Sequence, residues 1–172
     1  MNSEPLIRKN NESHNPTINN NVVQANANGL GTYSCNLINL NNGTLYYYRA
    51  YATNSNGTEY GEEKSFRTLN VPSVTTGSVT GVTGETAVCG GIVVDDGGEP
   101  VTSAGICYST SPNPTIYDNI LPAATAGQGA LTCNLVSLAQ GTTYYVRAYA
   151  INSVGTAYGT QRSFTTLVRK AD

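Results

Sequence analysis

The sequence predicts an all-β protein built as an antiparallel sandwich, and three observations carry that prediction. Short β-like runs alternate with turn residues along the chain, and no stretch keeps a helical period. Charged residues make up only 12% of the sequence, about half the roughly 25% of an ordinary domain. Asn, Thr, Ser and Gly supply the polarity instead, which suits strand surfaces and tight turns. Finally, the chain repeats itself. Residues 13–69 align with residues 111–167 at a constant offset of 98 without a gap, and 31 of the 57 aligned pairs are identical. Strand-rich repeats of about this length are characteristic of sandwich modules in tandem.

The two copies are unequal. The second is complete and runs from Asn70 to Leu167. The first begins near its SHNPTI segment, and nothing before Ser13 matches the block Thr75–Ser109. The expected organisation is therefore a partial repeat over 1–69, a whole repeat over 70–167 and a short tail over 168–172.

Within the complete repeat, Ser73–Val82 reads as the first strand and Thr86–Val94 as the second. Asp95-Asp96-Gly97-Gly98 is a turn. Val101–Ser109 is the third strand. Ser111-Pro112-Asn113-Pro114 ends it, because two prolines cannot occupy a central ladder. Ile116–Thr125 reads as a loop with a short edge strand. Ala130–Leu135 turns Leu131, Cys133 and Leu135 inward. Thr143–Ile151 is the clearest strand, Asn-Ser-Val-Gly turns the chain, and Gln161–Leu167 closes the unit. In the first copy, counterparts exist at Cys35–Leu37, Leu45–Thr53 and Lys64–Leu69. Leu6–Lys9 is a poor substitute for Ser103–Cys107, and the first two strands have no counterpart.

The run Leu138-Ala139-Gln140-Gly141-Thr142-Thr143-Tyr144, followed by Tyr145-Val146-Arg147-Ala148-Tyr149-Ala150, resembles the turn and sixth strand of fibronectin type III domains. Its earlier copy is Leu40-Asn41-Asn42-Gly43-Thr44-Leu45-Tyr46, then Tyr47-Tyr48-Arg49-Ala50-Tyr51-Ala52. The wider pattern over residues 73–167 resembles fibronectin type III-like, Ig-like tandem repeats of Bacteroidetes surface and secreted proteins. The resemblance implies a seven-stranded sandwich. It also implies that Tyr46 and Tyr144 are corner tyrosines whose hydroxyls bond backbone a few residues upstream. The family's usual core Trp is missing, as the chain has none, so smaller residues and tyrosines must fill the core.

Parity along the sixth strand sends Val146, Ala148 and Ala150 inward with Tyr144. Tyr145, Arg147 and Tyr149 then face outward, as do Tyr47, Arg49 and Tyr51. That stripe is a candidate binding surface for a protein or glycan, since aromatics and Arg are enriched at hot spots. Cross-strand packing, with Arg stacked on the rings, is the competing reading. Cys89 and Cys133 should point into the core, while the facing of Cys107 is open. A Cys89–Cys107 or Cys89–Cys133 disulfide competes evenly with buried free thiols, the second pairing following if the strands neighbour each other as in the family. Cys35 copies Cys133 without its partners.

No enzyme is expected. His14 is the only histidine, with no nucleophile context, and the cysteine spacings are not those of a zinc site. No cofactor is implied. Asp95-Asp96 with Glu99 is a candidate for weak Ca²⁺ binding against an ordinary solvated turn. Asn11-Glu12-Ser13, Asn42-Gly43-Thr44 and Asn56-Gly57-Thr58 match the glycosylation sequon, a coincidence to be expected in an Asn-rich bacterial chain. With a net charge of −2 and no long basic run, nucleic-acid binding is not expected. No apolar stretch reaches the roughly 20 residues of a membrane helix. The first residues lack the apolar core of an export signal, so export would be directed by sequence outside this chain.

The expected role is a structural or adhesive spacer, or a binding module, of a secreted or cell-surface bacterial protein. A decoration module of a phage or other particle, and an accessory domain of a polysaccharide-degrading enzyme, are the alternatives. The partial first repeat is expected to pair with another chain, with the second repeat or with upstream sequence.

Overall fold

A computed structural model describes residues 2–9, 14–23, 25 and 31–169. Its contacts divide the chain into two compact units, Met1–Leu69 and Asn70–Asp172.

The second unit is a two-layer antiparallel sandwich. One sheet contains β6 (Ser73–Thr76), β7 (Ala87–Asp95) and β10 (Gly129–Leu135), in the order β10-β7-β6. The other contains β8 (Ser103–Ser109), β9 (Asn119–Pro122), β11 (Thr143–Ile151), β12 (Thr156–Tyr158) and β13 (Arg162–Thr165). β11 pairs β8 on one side, and β12 and β13 in succession on the other. The core lies between the sheets. Val146, Ala148, Ala150 and Ile106 are each fully buried there, with Leu135, Cys89, Ala87 and Cys133 facing them. These are the inward positions that alternation assigns to β10 and β11. With no Trp to fill the space, Tyr108, Tyr144 and Phe164 pack at one side of the cluster.

Two expected strands are reshaped. The run Ser73–Val82 is broken: β6 stops at Thr76, and only Thr80 rejoins the ladder, as an isolated bridge to Val88. Gly81, at φ 56°, turns the chain there. The closing strand, expected over Gln161–Leu167, is shortened to β13, and a separate short strand, β12, precedes it; the ladder breaks between the two because side chains take over two of its bonds. Thr76 Oγ1 accepts the Ala148 N–H (2.9 Å), and Arg147 Nε donates to Gly159 O (3.0 Å).

The first unit has one sheet. β1 (Asn2–Lys9), β2 (Asn21–Val22), β3 (Leu45–Asn54), β4 (Gly57–Tyr60) and β5 (Lys64–Arg67) form it, in the order β2-β1-β3-β4 with β5 also on β3. β1 pairs β3 over all eight of its residues, so the segment around Leu6–Lys9 fills the place of β8 more fully than its sequence suggests. The strand expected at Cys35–Leu37 does not form. Its counterpart β10 hydrogen-bonds to β7, and the first unit has no equivalent of β7 among the described residues.

Candidate functional site

The sixth strand and its surroundings are built twice with nearly the same geometry. In each unit the corner tyrosine accepts a backbone N–H five residues upstream: Asn41 N–H to Tyr46 Oη at 2.9 Å, and Ala139 N–H to Tyr144 Oη at 3.0 Å. The preceding residues Asn39 and Ser137 both sit at φ 57°, and this left-handed step brings the turn back under the ring. A threonine locks each turn from the closing side. Thr68 Oγ1 takes the Thr44 N–H and donates to Asn41 O, and Thr166 Oγ1 does the same for Thr142 and Ala139. Phe66 and Phe164 stack on Tyr46 and Tyr144 at 5.6 and 5.7 Å.

The outward stripe is covered rather than open. Tyr149, expected outside, is only 1% exposed and Tyr51 only 8%. Tyr145, Arg147, Tyr47 and Arg49 are half-buried. The reason is the proline-rich segment after β8, which cannot join the ladder and folds back as a strap across the sheet's outer face. Pro114, within the strap, is buried, and its carbonyl accepts from Cys107 Sγ at 3.3 Å. The strap is fastened where Ile116 N–H donates to Tyr158 Oη (3.1 Å) and Asn113 N–H donates to the Gln161 side chain. Arg147 lies over the Tyr158 ring at 4.6 Å. The first unit repeats the fastening: Ile18 N–H to Tyr60 Oη (3.2 Å), Asn15 N–H to the Glu63 carboxylate, and Arg49 over Tyr60 at 5.0 Å. Asn15 and Asn113 share a left-handed φ of 67° and 61°. Arg therefore stacks on the tyrosine of the neighbouring strand, not on Tyr145 or Tyr149.

One difference between the straps is electrostatic. Pro112 and Gln161 are uncharged, whereas their counterparts His14 and Glu63 meet at 2.9 Å, and His14 also lies 4.7 Å from the Tyr47 ring. The Asn15 N–H, and then His14, hold the Glu63 carboxyl below its ordinary range.

None of the three candidate disulfide cysteines is bonded. Cys107 lies on the strap side of its sheet and cannot reach Cys89, which faces the core. Cys89 and Cys133 stand directly opposite each other on β7 and β10. However, Val88 exchanges both of its backbone hydrogen bonds with Thr80, so the alternating groups of Cys89 point to β10. That makes Cys89 and Cys133 a hydrogen-bonded pair, whose side chains stand farther apart than in the other kind of pair. A disulfide prefers Cβ atoms about 3.8 Å apart. Burial, reinforced by the neighbouring thiol, pushes Cys89 up to about 12. Burial pushes Cys107 up to about 11, and raises Cys133 as well. Such thiols are protonated at neutral pH and are poor nucleophiles.

The acidic turn is occupied with its own backbone. Asp95 Oδ1 accepts the Gly97 N–H (2.7 Å), and Asp96 Oδ1 accepts the Gly98 N–H (2.8 Å). Among the described residues no three His, Cys, Asp or Glu side chains converge as metal ligands do. The first sequon, at Asn11, lies outside the described residues.

Sequence reasoning missed the fastening residues Tyr60, Tyr158, Glu63 and Gln161, and it missed Asn152, a buried residue whose Nδ2 donates to Asn70 O (2.7 Å) and Asp96 O (2.8 Å). A signal was present for the tyrosines, since the Tyr-Gly that follows each sixth strand is identical in both copies.

No family model matches the chain, and no curated protein matches it. Solved structures do. Domains A168–A170 of titin align over 97% of this chain and 55% of their own, at 17% identity and a TM-score of 0.47. The FN1–FN3 domains of chicken CNTN1 align over 97% of this chain and 57% of their own, at 15% identity and a TM-score of 0.46. The sixth fibronectin type III domain of human fibronectin type III domain containing protein 3 covers 60% of this chain and 88% of its own length, at 20% identity and a TM-score of 0.42. Among the described residues no helix is long and apolar enough to cross a membrane.

Proposed function

We propose that the chain is a non-catalytic spacer or binding module, structural or adhesive, of a secreted or cell-surface bacterial protein. The observation that carries this reading is the duplicated strap. In both units the strap is fastened beside the outward stripe, whose Arg stacks on the fastening tyrosine, an arrangement that favours rigidity over a reactive site. The cysteines fit the same reading, because buried, protonated thiols survive an oxidising exterior without pairing. A ligand, if the module has one, is a protein or glycan met by surface outside the strap.

A screen of glycans and peptides for binding and turnover tests the proposal. Binding without turnover, or neither, is the expected result. Turnover abolished by one point substitution would overturn it. Flanking gene sequence separates a lipoprotein spacer from a virion component or an accessory domain of a glycosidase.

A further inference from the structure

Natural sheets blunt their exposed edges with short strands, prolines, bulges or charges. Most edges of the second unit follow that rule. β6 has four residues, follows Pro72 and carries a register irregularity at Ser73/Val74. β9 has four residues and ends at Pro122. β12 and β13 have three and four. β10 breaks the rule. Its seven residues, Gly-Ala-Leu-Thr-Cys-Asn-Leu, include no charge and no proline, and they run against β7 without a register shift.

The free groups of that edge are evenly placed. Gly129, Leu131, Cys133 and Leu135 turn their backbone groups to β7, in step with the Cys89–Cys133 pair. The N–H and C=O of Ala130, Thr132 and Asn134 therefore point away from the sheet, and among the described residues nothing bonds them. β9, in the facing sheet, meets β10 on its inward side, where Cys133 Sγ reaches Leu121 O at 3.4 Å. The solvent side beside the edge is uncharged as well. Ala130, Thr132 and Asn134 are exposed, and their register partners on β7 are Ile92, Gly90 and Val88.

The register fits a second copy of the same strand. Thr132 is the middle residue of β10 and belongs to the outward set. A second β10, laid antiparallel about a two-fold axis at Thr132, matches every free group. Thr132 then faces Thr132 of the second copy, and Ala130 of each copy faces Asn134 of the other. Each is a hydrogen-bonded pair that exchanges two bonds. The axis is perpendicular to the sheet, so the core sides stay together and the solvent sides stay together. No like charges are opposed, and Thr opposite Thr is a favourable cross-strand pair. We propose that two copies of this chain pair through β10 and join their three-stranded sheets into one continuous sheet. The contact is isologous and closes at the dimer.

The inference goes beyond the module reading, which holds whether or not copies pair. Sedimentation velocity of the whole chain, over a concentration series reaching the millimolar range, tests it. The expected result is a monomer–dimer equilibrium. Thr132→Lys and Thr132→Glu each set like charges against each other at the axis and should weaken the dimer at least about tenfold. Each variant should melt as the parent does, because Thr132 is exposed and its outward groups serve nothing within the unit. Mixed in equal amounts, the two variants should pair again, Lys against Glu. Thr132→Pro deletes the outward N–H and should also abolish pairing. A monomer throughout would overturn the proposal and leave the edge to an extended segment of another protein. Pairing that neither charge weakens, or a mixture that associates no more tightly than its components, would overturn it too.

Discussion

Ala50 and Ala148 occupy the same position of the same strand in two copies of one sequence, and their surroundings are opposite. Ala148 is fully buried, while Ala50 is exposed. The neighbouring positions agree: Val146 and Leu135 are buried to 0% and 1%, while Tyr48 and Leu37 are only half-buried. The corner, the turn lock and the strap are nevertheless the same in both units. Those features are made by residues within about 50 positions of one another along one sheet, and they form without the second layer. Burial of the inward face is a property of the other sheet. The comparison separates what a strand's own sequence specifies from what its partner layer supplies.

The largest test divides the chain. Residues 70–172 alone should melt cooperatively with well-dispersed amide signals. Residues 1–69 alone should not, because burial is worth roughly 25 cal/mol per Å² and half of the apolar contact is missing. In the whole monomeric chain, amides of Leu45–Ala52 should exchange faster than those of Thr143–Ala150. Equal protection would mean that a single sheet suffices.

A matched pair of substitutions sharpens the contrast. Ala148→Asp places an unpaired charge in the core and should cost the second unit about 3–5 kcal/mol. Ala50→Asp should change stability by no more than about 0.5 kcal/mol. Denaturant midpoints of the two variants decide it, and similar losses would show that the face of Ala50 is covered in solution. Tyr144→Phe should cost about 1–3 kcal/mol by leaving the part-buried Ala139 N–H without its acceptor, and an unchanged midpoint would mean that the corner does not form in solution.

The smallest effect is in pH. Glu63 has its pKa lowered by the folded strap, so its contribution is present above the ordinary carboxylate value of 4.5 and is lost as pH falls through the lowered folded value. The amide of Asn15 should lose protection over that window, while that of Asn113, fastened by Gln161, should not. Glu63→Gln should remove the pH dependence from the first strap. Parallel behaviour of the two amides would show that the carboxylate is not what holds Asn15.

Much of this was legible in the sequence, because alternation and the internal repeat act locally. The inward face of β11 and the missing strands of the first copy follow from them, while the corner at Tyr144 is what the resemblance to fibronectin type III domains implies. The burial of Tyr149 does not. Parity assigns its ring to the outer face and the prolines take the chain out of the ladder, but the strap's destination depends on Tyr158 and Gln161, some 45 residues away. The state of Cys89 and Cys133 is similar: parity turns both inward, but which of the two kinds of cross-strand pair they form is fixed by the bridge between Thr80 and Val88. The long pairing of β1 was hidden because its residues do not match the strand whose place they take.

The split between β12 and β13 has a meaning for a protein made of near-copies. Neighbouring units that share so much sequence risk exchanging strands while they fold, and an open sheet edge is where such exchange starts. Here the closing edge offers runs of only three and four residues, Thr156–Tyr158 and Arg162–Thr165, and β4 and β5 offer four each. Between them the ladder to the central strand is itself interrupted, with the Arg147 or Arg49 guanidinium on the carbonyl of Gly159 or Gly61, so the two short runs do not merge into one long edge. A sequence that repeats itself is thereby given an edge too short and too interrupted for its own copies to copy.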